Sequence, residues 1–238
     1  MPSRRPSRQT RALTLIEVLI VLAIIGIMTA GVVAGSGQLA GARLKHSTAV
    51  LAGAVRVAYA RATSMSRSVR IVFDFQESTF WIEDGDLPML VQSKDLTATG
   101  GADPATVAEK AAVDEGDRIV KGPRAPRPHF TAVDTPGLAA SQVRKGPKSL
   151  DRGIRFREVE ASHDDAPRKE GRAYLYFWPG GMTERASIQI SIGDSKDDSD
   201  TMTLLVSPLT GKVAVKAGAA PMKRPADDRE ASEREEGF

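Results

Sequence analysis

A carboxylate within an apolar segment is the feature of this sequence with the clearest chemical consequence. Glu17 is followed by residues 18–42, which include no charged side chain. A charge at the centre of a membrane helix costs about 2.5–3.5 kcal/mol on insertion scales, and less near an end. Such a group is tolerable when it meets a cation. We therefore predict that a positive group neutralises Glu17.

The residue types that usually perform catalysis or bind metals form no recognisable motif. The chain has no Cys, and its three histidines (His46, His129 and His163) fall in a predicted helix and two predicted loops. No nucleophile–base arrangement, zinc-ligand spacing or complete phosphate-binding loop is visible. The acidic turn 193–200 could bind calcium but lacks EF-hand spacing. We expect no enzymatic activity, cofactor or metal, with calcium at this turn left open.

The segment around Glu17 has the composition of a membrane helix. At 1.5 Å per residue, residues 13–38 would extend about 39 Å, more than an apolar bilayer core of roughly 30 Å. Four arginines and no acid precede it: Arg4, Arg5, Arg8 and Arg11. Because basic flanking residues stay in the cytoplasm, we predict a single-pass protein whose N-terminus is cytoplasmic and whose larger, C-terminal part lies outside the cytoplasm.

The distribution of charge argues against a nucleic-acid partner. The formal net charge is +3, and removing residues 1–12 with their four arginines leaves −1. The excess of positive charge therefore lies largely in residues 1–12. A local excess of Lys and Arg over residues 121–148 could contact phosphates or acidic partners. We expect that segment to be a solvated loop.

The helix is predicted to continue beyond the apolar segment, from about Leu13 to about Ser66. Side chains recur at alternating steps of three and four over its second half, which predicts one buried face. The members of this stripe are Leu44, Thr48, Leu51, Val55, Ala58, Ala62 and Met65. Basic side chains lie largely off the stripe. This half of the helix is therefore expected to pack under a globular head, the part of the chain that follows the helix.

Alternating apolar and polar residues after Ser68 predict about seven antiparallel strands. Residues 69–75 are expected to have one buried face, and 172–178, 186–192 and 201–206 give further strands. The fold class is thus α+β: a long N-terminal α-helix, transmembrane and then amphipathic, packed on an antiparallel β-rich head. The predicted divisions are a leader (1–12), a transmembrane and assembly helix (13–40), the second half of the helix with the first strands (41–92), a disordered or loop insertion (93–150), the remaining strands (151–216) and a disordered charged tail (217–238).

The stretch from Arg11 to Glu17 resembles the class III signal of type IV pilins and type II secretion pseudopilins. That signal has a basic leader, a small residue (usually Gly), an apolar residue, Thr, two apolar residues and Glu. Here these places are taken by Ala12, Leu13, Thr14, Leu15, Ile16 and Glu17. The sequence departs from the usual pattern with Ala12 in place of Gly and Leu13 in place of Phe.

The resemblance implies a processing and assembly site. A membrane prepilin peptidase would cut between Ala12 and Leu13, and the new amine of Leu13 would be methylated. Glu17 would neutralise that amine on a neighbouring subunit. Two other readings stay open: a conventional secretory signal cut near residues 34–37, and an uncut signal anchor. Neither accounts for Glu17.

The head resembles more loosely the H-type minor pseudopilins (GspH) and the related FimT-type minor pilins. The resemblance rests on the end of the helix, the strand after it and the segments 177–181 and 207–213. It implies a periplasmic head on a bacterial inner-membrane anchor and contacts with other pseudopilins or pilins through the helix. The expected function is a minor pseudopilin of a type II secretion system that could also contact secreted cargo. The alternative is a FimT-like minor pilin acting in pilus assembly or DNA uptake.

Overall fold

A computed structural model describes residues 15–89, 99–119, 126–134 and 146–222. The chain divides into two compact units, Met1–Ala40 and Gly41–Phe238. The predicted leader, with Ala12 and Leu13, lies outside the described residues. So do most of the basic segment 121–148 and the end of the predicted tail.

Helix α1 spans Leu15–Met65, close to the predicted bounds of Leu13 and Ser66. The sequence has no proline between Pro6 and Pro88 to interrupt it. Ser66 follows with a φ of 51°, the left-handed conformation that commonly ends a helix. A transmembrane first half was expected. Among the described residues, no helix combines the length and the apolarity that crossing a membrane requires.

The second half of α1 buries the predicted stripe with one exception. Buried side chains include Leu44, Thr48, Leu51, Val55, Ala58 and Ala62. Met65 was also expected on this face, but it is 51% exposed, because the helix ends there. Nearby, Arg61 Nε and Nη2 donate to the two carboxylate oxygens of Asp84, both at 2.6 Å.

The head has two antiparallel sheets. In the six-stranded sheet the order is β3-β2-β1-β6-β7, and β4 also pairs with β2. Its strands are β1 (Val69–Asp74), β2 (Thr79–Gly85), β3 (Phe130–Ala132), β4 (Lys148–Ser149), β6 (Arg172–Trp178) and β7 (Met182–Thr183). The four-stranded sheet has the order β10-β9-β8-β5. Its strands are β5 (Ile154–Ala161), β8 (Ala186–Ile192), β9 (Thr201–Val206) and β10 (Val213–Ala217). A short 3₁₀ helix, Asp198–Asp200, precedes β9.

One hydrophobic core joins α1 to both sheets, with side chains from α1, β1, β2, β5, β6, β8 and β9. The sheets meet where Phe73 of β1 lies edge-on to Phe156 of β5, with 5.5 Å between ring centroids. The α+β class with antiparallel strands is therefore confirmed. The number of strands was underestimated, because β3, β4 and β7 are too short to give a period in the sequence.

The expectation of a single buried face on β1 was wrong, because both faces are covered. Val72 belongs to a second cluster of buried side chains with Met89, Ala102, Phe130, Tyr174 and Tyr176. This cluster lies on one face of the six-stranded sheet and is closed by residues 99–119 and 126–134, which we call the cover segment and which include the edge strand β3.

Loop or disorder was expected over most of residues 93–150, with a helix over residues 104–113 as the one possible exception; the described part is more regular than that. It contains α2 (Val107–Ile119), β3 and β4. Thr106 Oγ1 accepts from Glu109 N, and Glu109 Oε2 accepts from the amides of Ala105 and Thr106. This is a capping box, and the spacing of Thr106 and Glu109 was a sequence signal for α2. Tertiary contacts then order a segment whose composition is that of a loop.

The first residues of the predicted disordered tail, 217–222, are ordered. Ala217 ends β10, and residues 218–222 cross the outer face of the four-stranded sheet. Gly218 N donates to Thr201 O at 2.9 Å, and Ser187 Oγ donates to Ala220 O at 2.7 Å. These bonds hold an uncharged sequence of small residues and one proline in place. Residues 223–238 lie outside the described part.

The turn before β10 fits against α1 only because residue 211 is glycine. Gly211 has a φ of 60°, and a Cβ there would lie 2.7 Å from Tyr59 Cγ. Tyr59 is itself fixed by its hydroxyl, which donates to Gly181 O at 2.8 Å. The ring therefore has little freedom to move away.

We predict that Gly211→Ala destabilises the head more than a control at a glycine with similar φ. Gly193 has a φ of 55° and nothing within 4 Å of an added Cβ, so Gly193→Ala should cost only the left-handed penalty of about 1–2 kcal/mol. Gly211→Ala should cost about 1–3 kcal/mol more because of overpacking. Denaturant unfolding of the detergent-solubilised full chain measures both; equal losses would show that Tyr59 yields freely.

Candidate functional site

The predicted processing and assembly residues are only partly within the described structure. Ala12 and Leu13 lie outside it, so their role as the cleaved bond stays a prediction. Glu17 lies in the first turn of α1, with its residue exposed to solvent. The structure therefore places Glu17 on the helix, and its position relative to the predicted cleavage site lies outside the described residues.

The side chains around Glu17 form an apolar surface that the isolated chain leaves uncovered. Its large apolar side chains are 46–80% exposed. They are Leu15, Ile16, Val18, Leu19, Ile20, Val21, Leu22, Ile24, Ile25, Ile27 and Met28. Helices that are apolar all round are normally buried, and apolar patches of this extent mark interaction sites. The start of α1 is therefore an interaction surface.

Buried charge is concentrated in the head under the cover segment. Arg70 of β1 is 1% exposed, and its Nε donates to Glu83 Oε2 at 2.6 Å. The guanidinium lies 4.4 Å from the ring centroid of Phe130 and 4.5 Å from that of Tyr174. Such cation–π contacts strengthen when water is excluded. The sequence suggested that Arg70 faces solvent. The apolar Val72, two residues on and on the same face, was the signal that another layer covers it.

Two tyrosines of β6 connect the sheet to the cover segment. Tyr174 Oη donates to Glu109 Oε1 at 2.6 Å, and Tyr176 Oη donates to Thr99 O. Burial, reinforced by the Glu109 carboxylate, raises the pKa of Tyr174 far above its ordinary value. The phenol therefore remains a hydrogen-bond donor at any physiological pH.

His163 is a buried titratable group with two carboxylates beside its ring. It is 4% exposed, and its Nδ1 lies 2.8 and 2.9 Å from the two oxygens of Glu184. Its Nε2 lies 3.6 Å from Asp164 Oδ2. Arg168 pairs with that aspartate at 2.9 Å, and the ring of Tyr176 packs against the imidazole at 5.3 Å between centroids.

These neighbours favour the protonated imidazole. Burial by itself disfavours the charged form, and Arg168 acts in the same direction. The carboxylates of Glu184 and Asp164 outweigh both and raise the pKa of His163. When His163 is protonated, the buried carboxylates of Glu184 and Asp164 face two cations, the imidazolium and Arg168. The sequence treated this histidine as a loop residue, and nothing in its local pattern marks it as buried.

A serine, a histidine and an aspartate also meet where α1 contacts the loop before β5. His46 Nδ1 and Ser47 Oγ lie 2.7 and 2.9 Å from the same oxygen, Asp151 Oδ2. In a nucleophilic triad the hydroxyl is bonded to the imidazole instead. Here Ser47 is 2% exposed and accepts from Asp151 N at 3.0 Å. These contacts join the helix to the loop.

Within the described residues, no group of three or more His, Cys, Asp or Glu side chains is arranged to hold a metal ion. In the acidic turn 193–200, Asp200 Oδ2 accepts from Ser195 Oγ at 3.0 Å. Asp198 Oδ1 lies 3.8 Å from Arg157 Nη1. These carboxylates face protein groups.

We predict that the head loses stability as the pH rises through the pKa of His163. Because that pKa is raised, the stabilisation is complete below the ordinary value of about 6.5 and is lost above it, through the folded pKa. His163→Gln should remove this part of the pH dependence. Urea unfolding of the full chain over about pH 5.5–9 measures it.

The exposed His129 supplies the control for that measurement, since its side chain is 63% exposed. His129→Gln removes only an exposed contact, Nδ1 to Asp103 Oδ2 at 3.1 Å, and should change the free energy of unfolding little. The assignment of a stabilising imidazolium would be contradicted by one result. This is a free energy of unfolding that rises from neutral to alkaline pH for the wild type relative to His163→Gln.

The first residues of the chain match a known family, with residues 7–33 matching the prokaryotic N-terminal methylation motif. The matched residues include Ala12, Leu13 and Glu17, together with much of the exposed apolar surface. No curated protein and no solved structure matched the chain. The methylation motif indicates that this chain is a type IV pilin-like protein, a component of a pilus or pseudopilus.

Proposed function

We propose that this protein is a minor pseudopilin of a type II secretion system. It would be a structural component of the periplasmic pseudopilus that helps to export folded proteins across the outer membrane. The observation that carries the proposal is the methylation motif over residues 7–33, continued by a helix whose apolar side chains are exposed in the isolated chain. The looser resemblance of the head to H-type pseudopilins supports this role, and the same resemblance to FimT-type minor pilins keeps a minor pilin acting in pilus assembly as the alternative.

The chemistry of the N-terminal segment supports assembly through α1. In this proposal a prepilin peptidase cuts between Ala12 and Leu13, and the new N-terminus is methylated. The apolar start of α1 packs among the helices of other subunits, and Glu17 meets the amine of a neighbouring subunit. An ion pair in apolar surroundings fixes axial register, because a shifted helix would leave both charges unpaired.

The remaining elements of the proposal concern location and partners. The protein is anchored in the bacterial inner membrane with the head in the periplasm. Its partners are other pseudopilins, the prepilin peptidase and, through the head, secreted cargo. It acts without enzymatic activity or a cofactor. Nucleic acid is not a partner, because the processed chain has a net charge of −1 and DNA binding depends on clustered cations.

The mass of the protein from membranes that hold a prepilin peptidase tests the class. We expect the chain to begin at Leu13 and to carry one added methyl group. Intact mass and the mass of the N-terminal peptide give both values. A start within residues 34–37 would make the chain a conventionally secreted protein and overturn the proposal. If the chain is uncut, Ala12→Gly distinguishes two causes. The change restores cleavage where Ala12 blocks the peptidase, and it leaves a signal anchor uncut.

Substitution of Glu17 tests the assembly step separately. Glu17→Ala should leave membrane insertion and cleavage largely intact and reduce incorporation into filaments by about tenfold or more, since loss of one partner of a buried ion pair costs several kcal/mol. Glu17→Asp keeps the charge and should retain more incorporation. Quantitative blotting of sheared filaments against membranes gives the ratio. Incorporation of Glu17→Ala at the wild-type level would remove the carboxylate from the mechanism.

A further inference from the structure

Strand β10 forms one edge of the four-stranded sheet. Val213 is half-buried, and the next four residues, through Ala217, are exposed. The edge is therefore accessible along the whole strand.

The alternation of residues that bond to β9 shows which backbone groups of β10 point away from the sheet. Ser207 N donates to Lys212 O, and Gly218 N donates to Thr201 O, each at 2.9 Å. Both pairs belong to the same β9–β10 register. Because hydrogen-bonded and non-hydrogen-bonded pairs alternate in an antiparallel ladder, Ala214 and Lys216 bond to β9. The N–H and C=O groups of residues 213, 215 and 217 are directed to the open side.

The other sheet edges in the described part of the chain are closed or short. Along β5, Val159 exchanges two backbone hydrogen bonds with Arg168, at 2.9 and 2.8 Å, and the register shifts between Phe156 and Glu158. In the six-stranded sheet, β3, β4 and β7 have only two or three residues. Bulges and very short strands are devices that prevent edge-to-edge pairing. Strand β10 has neither a bulge nor a proline.

Side chains along β10 define the chemistry of a strand that could pair with it. Val215 lies opposite the core residue Leu204, so its 45% exposed side chain continues the apolar face of the sheet. Lys216 projects from the other face, and Lys212 is also exposed. The sequence contains no acid between Asp200 and Asp227, and the nearby Asp198 lies past the end of the strand, where its Oδ1 accepts from Ala219 N at 3.4 Å. The edge therefore favours an extended segment with apolar side chains on one face and carboxylates on the other.

The path of the chain after β10 leads away from this edge. Residues 218–222 cross the outer face of β9 and β8, and Met222 N donates to Glu160 Oε2 of β5 at 2.9 Å. The next residues therefore start at the opposite side of the sheet. Residues 223–238 are acidic but have few apolar side chains, which makes them a poor match for an alternating strand.

We propose that β10 is a docking site at which an extended acidic segment of a partner protein adds a fifth strand to the four-stranded sheet. Backbone hydrogen bonds would supply affinity, and Val215 and Lys216 would select apolar and acidic side chains in alternation. This inference goes beyond the proposed function, because it concerns the head and can be tested without a filament.

Residue-resolved amide exchange of the full chain in detergent tests the proposal. The probe is a short synthetic peptide of alternating valine and glutamate; its counterpart with lysine for glutamate tests charge selection. At a concentration about ten times the Kd of the acidic peptide, the amides of Val213, Val215 and Ala217 should exchange about tenfold more slowly, because protection follows 1 + [L]/Kd. The inward amides of Ala214 and Lys216 should change little.

Two substitutions at one position separate strand addition from nonspecific binding. Val215→Pro removes an outward N–H and should abolish protection at Val213 and Ala217 without removing a β9–β10 hydrogen bond. Val215→Thr keeps the N–H and should retain protection. The unfolding midpoint of Val215→Pro shows whether the head of this variant is still folded. If it is unfolded, a titration of Val215→Thr with the acidic peptide replaces the measurement on Val215→Pro.

Three results would overturn the proposal. The first is the absence of protection by the acidic peptide in the wild type. The second is equal protection by the lysine peptide, which would remove the charge preference. The third is protection of the three outward amides in the peptide-free chain that disappears when residues 223–238 are deleted, since the occupant would then be the chain's own C-terminal segment.

Discussion

The burial of the Arg70 guanidinium is the constraint on which the outer half of the head depends. A charge that is 1% exposed is tolerable only when its donors and its charge are matched. Glu83 supplies the carboxylate, and the ring centroids of Phe130 and Tyr174 lie 4.4 and 4.5 Å from the guanidinium carbon. Phe130 belongs to the cover segment, so the ion pair is desolvated only when that segment is in place.

The cover segment in turn satisfies groups that would otherwise be buried without partners. Glu109 serves as the capping residue of α2 and as the acceptor for Tyr174. Thr99 accepts from Tyr176, and Gly100 approaches both Tyr176 and His163 so closely that a Cβ would lie 2.8 Å from the tyrosine ring. Charge, hydrogen bonding and steric fit thus all specify one position for a segment with little apolar content.

The two exposed surfaces of the protein differ in their chemistry. The start of α1 is apolar around its circumference with one carboxylate, which suits close packing of helices in apolar surroundings. Strand β10 offers backbone hydrogen bonds and the cationic Lys216, which suits an extended partner in water. A pilin-like subunit with both surfaces could be held in a filament by its helix while its head engages another protein.

The sequence by itself determined the features that depend on local pattern. The period of α1 gave its buried face, and strict alternation gave the bounds of β8. The residues from Ala12 to Glu17 gave the signal class, because that motif is read from order along the chain. Only the tertiary structure decided that Arg70 and His163 are buried and that the helix over residues 107–119 packs on the sheet. Those outcomes depend on partners more than 20 residues away in sequence, such as Phe130 for Arg70 and Glu184 for His163. A polar residue in a strand or loop has the same local pattern whether water or another layer covers it, so its environment is fixed only when the layers pack together.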